Sequence, residues 1–156
     1  MRTCFIQRIL FQFALASLLA APSSGQIKND KKFSIVPKQL RERLVERLNL
    51  YVEYDRTEQC DKLFDLYSES FIKQQKMSKD SFVRLAESIP VSSRSVLLEY
   101  KVTSINKPSY TKEPGVFEIV GRIRISQGGR VVEGERILEA RLQNGDWFFS
   151  AWLERT

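Results

Sequence analysis

The residues that could do chemistry in this chain are tyrosines, acids and one arginine, because the sequence contains no histidine. Without histidine, Ser-His-Asp and Cys-His catalysis and the commonest metal ligand are excluded. Tyrosines and carboxylic acids can donate hydrogen bonds or move a proton, and arginine can hold an anion. The candidates that could share a cavity are Tyr51, Tyr54, Asp55, Tyr67, Tyr100 and Arg136. No glycine-rich phosphate loop is present, so we predict neither a metal site nor a cofactor.

Two hairpin turns must position Arg136. Gly128-Gly129 and Asn144-Gly145 favour two-residue turns, because both turn residues need a positive φ. They separate runs of β-branched and aromatic residues between Val116 and Arg155, which predicts a three-strand antiparallel meander. Ser95 to Ile105 alternates apolar and polar residues, which predicts one further strand before the meander.

The register of the first hairpin points Arg136 to the inner face of the sheet. A two-residue turn fixes which residues face each other, and here it sets Arg136 opposite Gly121. The outward pairs of the same register carry opposite charges; they are Arg124 with Glu133 and Arg122 with Glu135. Because Gly121 has no side chain, there is room beside Arg136 for a ligand.

An inward arginine must be paired, hydrated or next to a cavity, because burying an unpaired charge is too costly. We predict that Arg136 binds a carboxylate or another anion together with Tyr100 or with the helix residues Tyr51 and Tyr54. The alternatives are snorkelling at the edge of the sheet or an internal ion pair with Glu46, Asp61 or Asp65.

The outer face of the meander is predicted to carry an apolar stripe. The second turn sets Leu142 opposite Trp147 and, continued along the strands, Leu138 opposite Ala151. That register puts four apolar residues on the outer face, namely Val120, Ile137 and Trp152 in one row with Phe148 nearby. A self-complementary patch of this kind favours a homodimer through the outer face. The alternative is a cover formed by the N-terminal leader or by the loop from Asn106 to Gly115.

Helices precede the sheet and must cover its inner face. Pro37 suits the first position of a helix, and apolar residues then recur at helical spacing; they are Leu40, Leu44, Val45, Leu48 and Val52. This helix ends near Tyr54 to Arg56. A second helix from Thr57 is interrupted at Ser68 to Ser70, and a third is capped by Ser78 and ended by Ile89-Pro90. Helices followed by an antiparallel sheet predict the α+β class.

Residues 1–25 are predicted to be a secretory signal peptide. Arg2 and Arg8 precede a short apolar stretch, Ile9 to Ala21, that is too short to span a bilayer. We therefore expect an exported protein, periplasmic or secreted, without a stable membrane anchor; an uncleaved anchor is the alternative. Residues 26–36 read as a flexible leader and residues 37–156 as a single domain.

Export would leave Cys60 without its only possible partner, since Cys4 lies in the signal peptide. We expect Cys60 to be an unpaired, buried small residue, with a bridge between two chains or a reactive thiol as alternatives. The net charge of +6 comes from scattered basic residues with no basic run, so nucleic-acid binding is not predicted.

The layout resembles the NTF2-like (SnoaL-like) superfamily in three places. These are the helix from Pro37 to Arg56, the run from Cys60 to Ser68, and the closing turn and strand from Leu142 to Phe149. The resemblance implies a cystatin/NTF2-like cone whose cavity lies between helices and sheet and which frequently dimerises through the outer sheet face. It also implies a choice between isomerase-like or dehydratase-like enzymes, which mostly use an Asp or His base, and non-catalytic ligand-binding or assembly modules.

We expect an exported, non-catalytic binding or assembly module, homodimeric, with a small cavity for an anionic or apolar ligand. No inward strand position offers Asp or His, which argues against catalysis. One alternative is a small isomerase or lyase that uses Tyr100 and Asp55 around Arg136. Another is an envelope protein-interaction domain whose outer stripe docks a different partner.

Overall fold

A computed structural model describes residues 35–90 and 93–153, except for the side chain of Ala151. The predicted signal peptide, and the predicted leader up to residue 34, lie outside the described residues. Within them, helices come first and an antiparallel sheet follows, which confirms the predicted α+β class. Val36, predicted to belong to the flexible leader, is only 3% exposed and is part of the core.

Helix α1, Lys38–Thr57, confirms the first predicted helix. Its buried face is formed by Leu44, Leu48, Tyr51 and Asp55, which recur at helical spacing. The helix ends at Glu58, whose φ of 61° is left-handed. Near its other end, the indole Nε1 of Trp147 donates a hydrogen bond to the carbonyl of Leu40 at 2.7 Å. This hydrogen bond therefore fixes the position of the helix along the sheet.

Three short helices follow, α2 (Cys60–Phe64), α3 (Glu69–Gln74) and α4 (Lys79–Ser88). The predicted interruption is present but lies earlier than Ser68 to Ser70, because α2 ends at Phe64 and the Ser68 hydroxyl, which accepts from the N–H of Phe71, begins α3 with Ser70 inside it. Ser78 caps α4 through a reciprocal capping box with Ser81, also as predicted.

Cys60, at the start of α2, is buried and disulfide-bonded. The prediction that it is unpaired is wrong for this structure. Its partner lies outside the described residues.

The sheet has four strands in the order β1 (Ser95–Asn106), β2 (Val116–Gln127), β3 (Arg130–Gln143) and β4 (Asp146–Leu153). Gly128-Gly129 and Asn144-Gly145 all have positive φ, as the hairpin prediction requires. The register of β2 with β3 is the predicted one throughout, with Gly121 opposite Arg136. The outward ladder is present, and Arg124 Nε lies 3.1 Å from the Glu133 carboxylate.

The predicted register of β3 with β4 holds only near the turn. Leu142 pairs with Trp147 as predicted, but Leu138 pairs with Trp152 rather than with Ala151. A β-bulge causes the shift, because two residues of β4 face a single residue of β3 after Phe149. One extra residue reverses the face of every side chain beyond it. Trp152 therefore points into the core, the opposite of the prediction.

The space between helices and sheet is filled with aromatic rings. The ring of Tyr51 makes edge contacts with those of Phe149 and Trp152, at centroid distances of 5.5 and 6.3 Å. Trp147 and Phe149 are fully buried. The β4 edge is closed by backbone hydrogen bonds, since Phe149 donates to the carbonyl of Leu66 at 2.8 Å and accepts from Ser68 at 2.7 Å. Around Tyr51 and β4, the described residues therefore form a closely packed core.

Candidate functional site

A cleft of about 330 Å³ lies between α1 and the edge strand β1. Its lining residues are Val45, Leu48, Asn49, Val52, Leu98, Glu99, Tyr100, Lys101 and Val102. Most of them are apolar, and Asn49, Glu99 and Lys101 add polar groups. Small-molecule sites typically span roughly 300 to 1,000 Å³ and combine apolar walls with a few polar groups. The cleft therefore has the size and lining of a site for a small ligand.

Two bulges in β1 help to form this cleft. The pairing of β1 with β2 shifts between Leu97 and Glu99 and again between Val102 and Ser104. A bulge bends its strand and re-aims the side chains around it. The two irregularities flank the stretch of β1 that lines the cleft. On the opposite wall, Val45 of α1 remains 47% exposed.

Tyr100 is one of the residues that line the cleft, but its hydroxyl already donates a hydrogen bond within the sheet. The hydroxyl donates to the carbonyl of Ile119 at 2.6 Å, with the carbonyl of Arg136 at 3.4 Å. Burial, and secondarily the charge of Glu135, raises the pKa of this hydroxyl far above its ordinary value. Tyr100 therefore acts as an apolar wall and a cross-strand link, and the predicted hydrogen bond from Tyr100 to a ligand is not available in this geometry.

Arg136 does not line the cleft. Its side chain is only half-buried, and Nη1 donates to the carbonyl of its neighbour Glu135 at 3.0 Å. The room predicted at Gly121 is filled from β1, because a Cβ added to Gly121 would lie 2.3 Å from Cε1 of Tyr100. The cleft is therefore not lined by Arg136 and Tyr100 together, and anion binding by Arg136 stays a prediction.

The two helix tyrosines predicted to bind a ligand lie in different surroundings, and neither lines the cleft. Tyr51 is 1% exposed, and its hydroxyl lies 2.9 Å from that of Tyr67 in a buried hydrogen bond. Tyr54 is half-buried, with the ammonium of Lys62 at 5.6 Å from its ring centre. Tyr51 belongs to the core, and Tyr54 belongs to the helix surface.

Asp55, a predicted catalytic candidate, lies in an environment that the sequence analysis did not predict. It lies in the last turn of α1, is fully buried, and its Oδ2 accepts the backbone N–H of Leu97 at 2.7 Å. Because β1 is an edge strand, N–H groups that point away from the sheet need such acceptors. The other carboxyl oxygen, Oδ1, has no hydrogen-bond partner among the described residues.

Burial raises the pKa of Asp55 to about 7, against the partly compensating hydrogen bond from Leu97. The charge of Glu58 raises the pKa of Asp55 further.

The burial of Asp55 could have been predicted from the sequence, because Asp55 continues the buried series Leu44, Leu48 and Tyr51 at helical spacing. Asp55 does not line the cleft with Tyr100, so the structure does not bring the two predicted catalytic candidates into one cavity.

The four residues predicted for a dimer interface do not form an exposed stripe. Val120 and Ile137 are 3% and 8% exposed, and Trp152 faces the core. Phe148 is half-buried, with the guanidinium of Arg47 at 5.5 Å from its ring centre. The homodimer itself stays a prediction, but these residues offer little open surface to carry it.

Among the described residues, no group of three or more His, Cys, Asp or Glu side chains could hold a metal ion. No helix in the described part of the chain is long and apolar enough to cross a membrane.

Comparisons with known proteins give little to classify the chain. No protein-family profile matches it, and no curated protein matches it. Among solved structures it is similar to a SEC-C motif containing protein from Rhodopseudomonas palustris, with 15% sequence identity and a TM-score of 0.44 over 80% of this chain and 82% of that chain. No NTF2-like or SnoaL-like protein was found.

The predicted membership of the NTF2-like superfamily is therefore wrong. Where α1 faces β4, the rings of Tyr51, Phe149 and Trp152 pack against one another.

Proposed function

We propose that the protein is a non-catalytic binding module that holds a small, mainly apolar ligand in the cleft between α1 and β1. The observation that carries this proposal is the cleft itself, about 330 Å³ in volume and bounded by side chains of both elements. The walls are apolar, and the amide of Asn49 can orient a polar group of the ligand.

The charge of the lining favours a neutral ligand over an anion. One acid, Glu99, and one base, Lys101, line the cleft, so their charges cancel. Both are exposed, and solvent screens the field of such groups. Arg136, the residue predicted to bind an anionic ligand, lies outside the cleft. The prediction of an anionic ligand in this cleft therefore lacks its main residue.

Catalysis is the less favoured use of this cleft. The Tyr100 hydroxyl already donates to a backbone carbonyl, and its raised pKa opposes proton release. Asp55, which has the pKa best suited to proton transfer near neutral pH, does not line the cleft. The one acid that reaches the cleft is the exposed Glu99.

An NMR titration with two probes tests the proposal. Indole is neutral and apolar, whereas octanoate adds a carboxylate to an apolar chain. We expect indole to shift the methyl signals of Val52, Leu98 and Val102, and octanoate to bind no more tightly than indole. A probe at 100 times its Kd should raise the free energy of unfolding by roughly 2.7 kcal/mol. Absence of any shift at these methyl groups with either probe would contradict the proposal.

A pair of tryptophan variants shows whether binding occurs in the cleft. Val45→Trp fills the cleft from its exposed wall and should abolish the indole shifts. Leu85→Trp on α4 is the matched control, because Leu85 is also exposed, at 38%, and does not line the cleft. Equal indole binding by the two variants would place the probe elsewhere on the protein.

A further inference from the structure

We propose that the Asp55 carboxyl and the Leu97 N–H form a pH-dependent switch on the cleft. With Asp55 protonated, their hydrogen bond holds the end of α1 against the edge of β1; with Asp55 ionised, this end of the cleft opens. The proposal deepens the proposed function, because it names a regulation of the same cleft.

The position of the hydrogen bond supports this role. Asp55 is three residues beyond Val52, which lines one wall, and Leu97 directly precedes Leu98, which lines the other. In the described part of the chain it is the one side-chain hydrogen bond between α1 and β1. Apolar residues of both walls, among them Val52 and Leu98, also line the cleft, and apolar contacts carry no directional bond that would replace this one. Loss of this bond would therefore free one end of the cleft before the rest of the fold.

The surroundings of Asp55 suit its neutral form. Its Oδ1 is buried and has no hydrogen-bond partner among the described residues, so the Leu97 N–H on Oδ2 is the one donor that they give to an ionised carboxylate, and burying a charge with so little support is costly. The titratable and charged groups around it are Glu58, Tyr51, Tyr67 and Arg94. Glu58 is an acid, and the two tyrosine hydroxyls hydrogen-bond to each other.

Arg94 lies beside the Glu58 carboxylate and makes no ion pair with Asp55 among the described residues. Its Nη1 lies 3.8 Å from the Glu58 carboxylate, and its Nε and Nη2 donate to the carbonyl of Ile89. Among the described residues, no cation contributes to the pKa of Asp55, so none is shown to stabilise its ionised form. The ionised form gains most by reaching water, and separation of the end of α1 from β1 would admit water.

Amide hydrogen exchange of Leu97, corrected for the intrinsic pH dependence of exchange, tests the switch without any ligand. Opening lets Asp55 ionise at its ordinary pKa, whereas the closed form keeps its proton to about pH 7. The equilibrium constant for local opening at Leu97, obtained from the corrected exchange rate, should therefore rise about tenfold per pH unit between pH 5 and 7. Above pH 7 it should level off. In Asp55→Asn the rise should disappear.

The amide of Phe149 is the matched control at the other edge of the sheet, because its acceptor is the backbone carbonyl of Leu66. We expect Leu97 to exchange faster than Phe149 at every pH, as local opening requires. Identical protection of the two amides would mean that Leu97 exchanges only by global unfolding, and a flat corrected rate for Leu97 would mean that Asp55 controls nothing. Either result overturns the switch.

A milder variant guards against misfolding of Asp55→Asn. Glu58→Gln removes a negative charge near Asp55, so the pH at which Leu97 exchange levels off should move down. An unchanged profile in Glu58→Gln would count against the switch.

The experiments distinguish failure of the switch from failure of the proposed function. If Leu97 shows the expected profile but no probe binds, the switch stands and the binding function falls. If a probe binds but Leu97 shows no pH dependence, the reverse holds.

Discussion

The two ends of α1 are attached to the sheet by chemically different means. In the N-terminal half, Arg47 pairs with Asp146 of β4, with Nε 2.9 Å from Oδ1, and Arg43 donates to the carbonyl of Gly145 at 2.8 Å. At the C-terminal end, the carboxyl of Asp55 accepts a hydrogen bond from the N–H of Leu97. The first attachment is a half-exposed ion pair, and the second is a buried hydrogen bond to a carboxyl whose pKa is raised by burial.

The two aspartates show how the same residue type acquires opposite properties. The hydrogen bond from Arg47 holds the pKa of Asp146 below its ordinary value of 3.8, against a smaller effect of burial. Asp55 has no such cation, and its burial raises its pKa to about 7. A paired carboxylate favours the charged form, and a buried one without a cation favours the neutral form.

Opposite pKa shifts imply opposite dependences of stability on pH. Asp146 stabilises the fold above its ordinary pKa, and this contribution is lost as pH falls through its lowered pKa. Asp55 contributes fully below pH 3.8, and its contribution is lost as pH rises to about 7. Acid therefore weakens the N-terminal attachment of α1, and neutral pH weakens the C-terminal one.

The largest expected loss of stability is for a substitution of Trp147, the buried neighbour of Asp146 in the N-terminal attachment. Trp147→Ala removes a fully buried side chain and leaves the carbonyl of Leu40 without its indole donor. We expect a loss of about 3–5 kcal/mol in urea unfolding. Phe148→Ala is the control, since this neighbour is half-buried and should cost less than half as much. Similar losses in both variants would contradict the assignment of the inner face of β4.

The second prediction concerns Asp55 and the dependence of stability on pH. Between pH 5 and 7 the free energy of unfolding should fall with a slope of up to about 1.4 kcal/mol per pH unit from this one group. Asp146 stays ionised throughout that range and does not contribute. Asp55→Asn should flatten this slope. The free energy of unfolding of Asp55→Asn minus that of the wild type should therefore be about 2 kcal/mol larger at pH 7 than at pH 5.5. Urea unfolding at four pH values measures this, and an undiminished slope in Asp55→Asn would contradict it.

The parts of the fold that could be predicted are those fixed by local chemistry. Glycine and asparagine at the turns determine the register of β2 with β3, and serine caps determine where α3 and α4 begin. The bulge in β4 could not be predicted, because Phe148, Phe149, Ala151 and Trp152 place apolar side chains on the inner face in either register. Tertiary packing of Trp152 against Tyr51 and Tyr100 decides between them.

The candidate site was harder to predict, because the pairing of β1 with β2 is not fixed by a short turn. The loop from Asn106 to Gly115 leaves that register open, so the contact between Tyr100 and Gly121 could not be predicted from the residue pattern. The space deduced beside Arg136 was therefore assigned to a ligand. The cleft depends on where α1 lies relative to the bulged β1, which only the assembled structure defines.

The third prediction tests the side of the sheet near the cleft. Gly121→Ala places a methyl group against the ring of Tyr100, at 2.3 Å from Cε1. We expect a loss of about 1–2 kcal/mol, in the lower part of the range for overpacked cores. In a Tyr100→Ala background the same substitution should cost almost nothing, and the double-mutant cycle measures the difference. Full tolerance of Gly121→Ala in the wild type would instead mean that open space lies beside Arg136.

The smallest effect is expected at the half-exposed ion pair. The side chains of Arg47 and Asp146 are 25% and 39% exposed, so Asp146→Asn should cost no more than about 1 kcal/mol at pH 7. Glu42→Gln is the control for a fully surface pair, since Lys38 and Glu42 are 80% and 60% exposed, and its effect should be close to zero. As pH falls from 5 to 3, the difference between wild type and Asp146→Asn should shrink, because protonation removes the same charge from the wild type. A difference that instead grows in acid would mean that Asp146, like Asp55, is held in the neutral form, and the contrast between the two ends of α1 would fail.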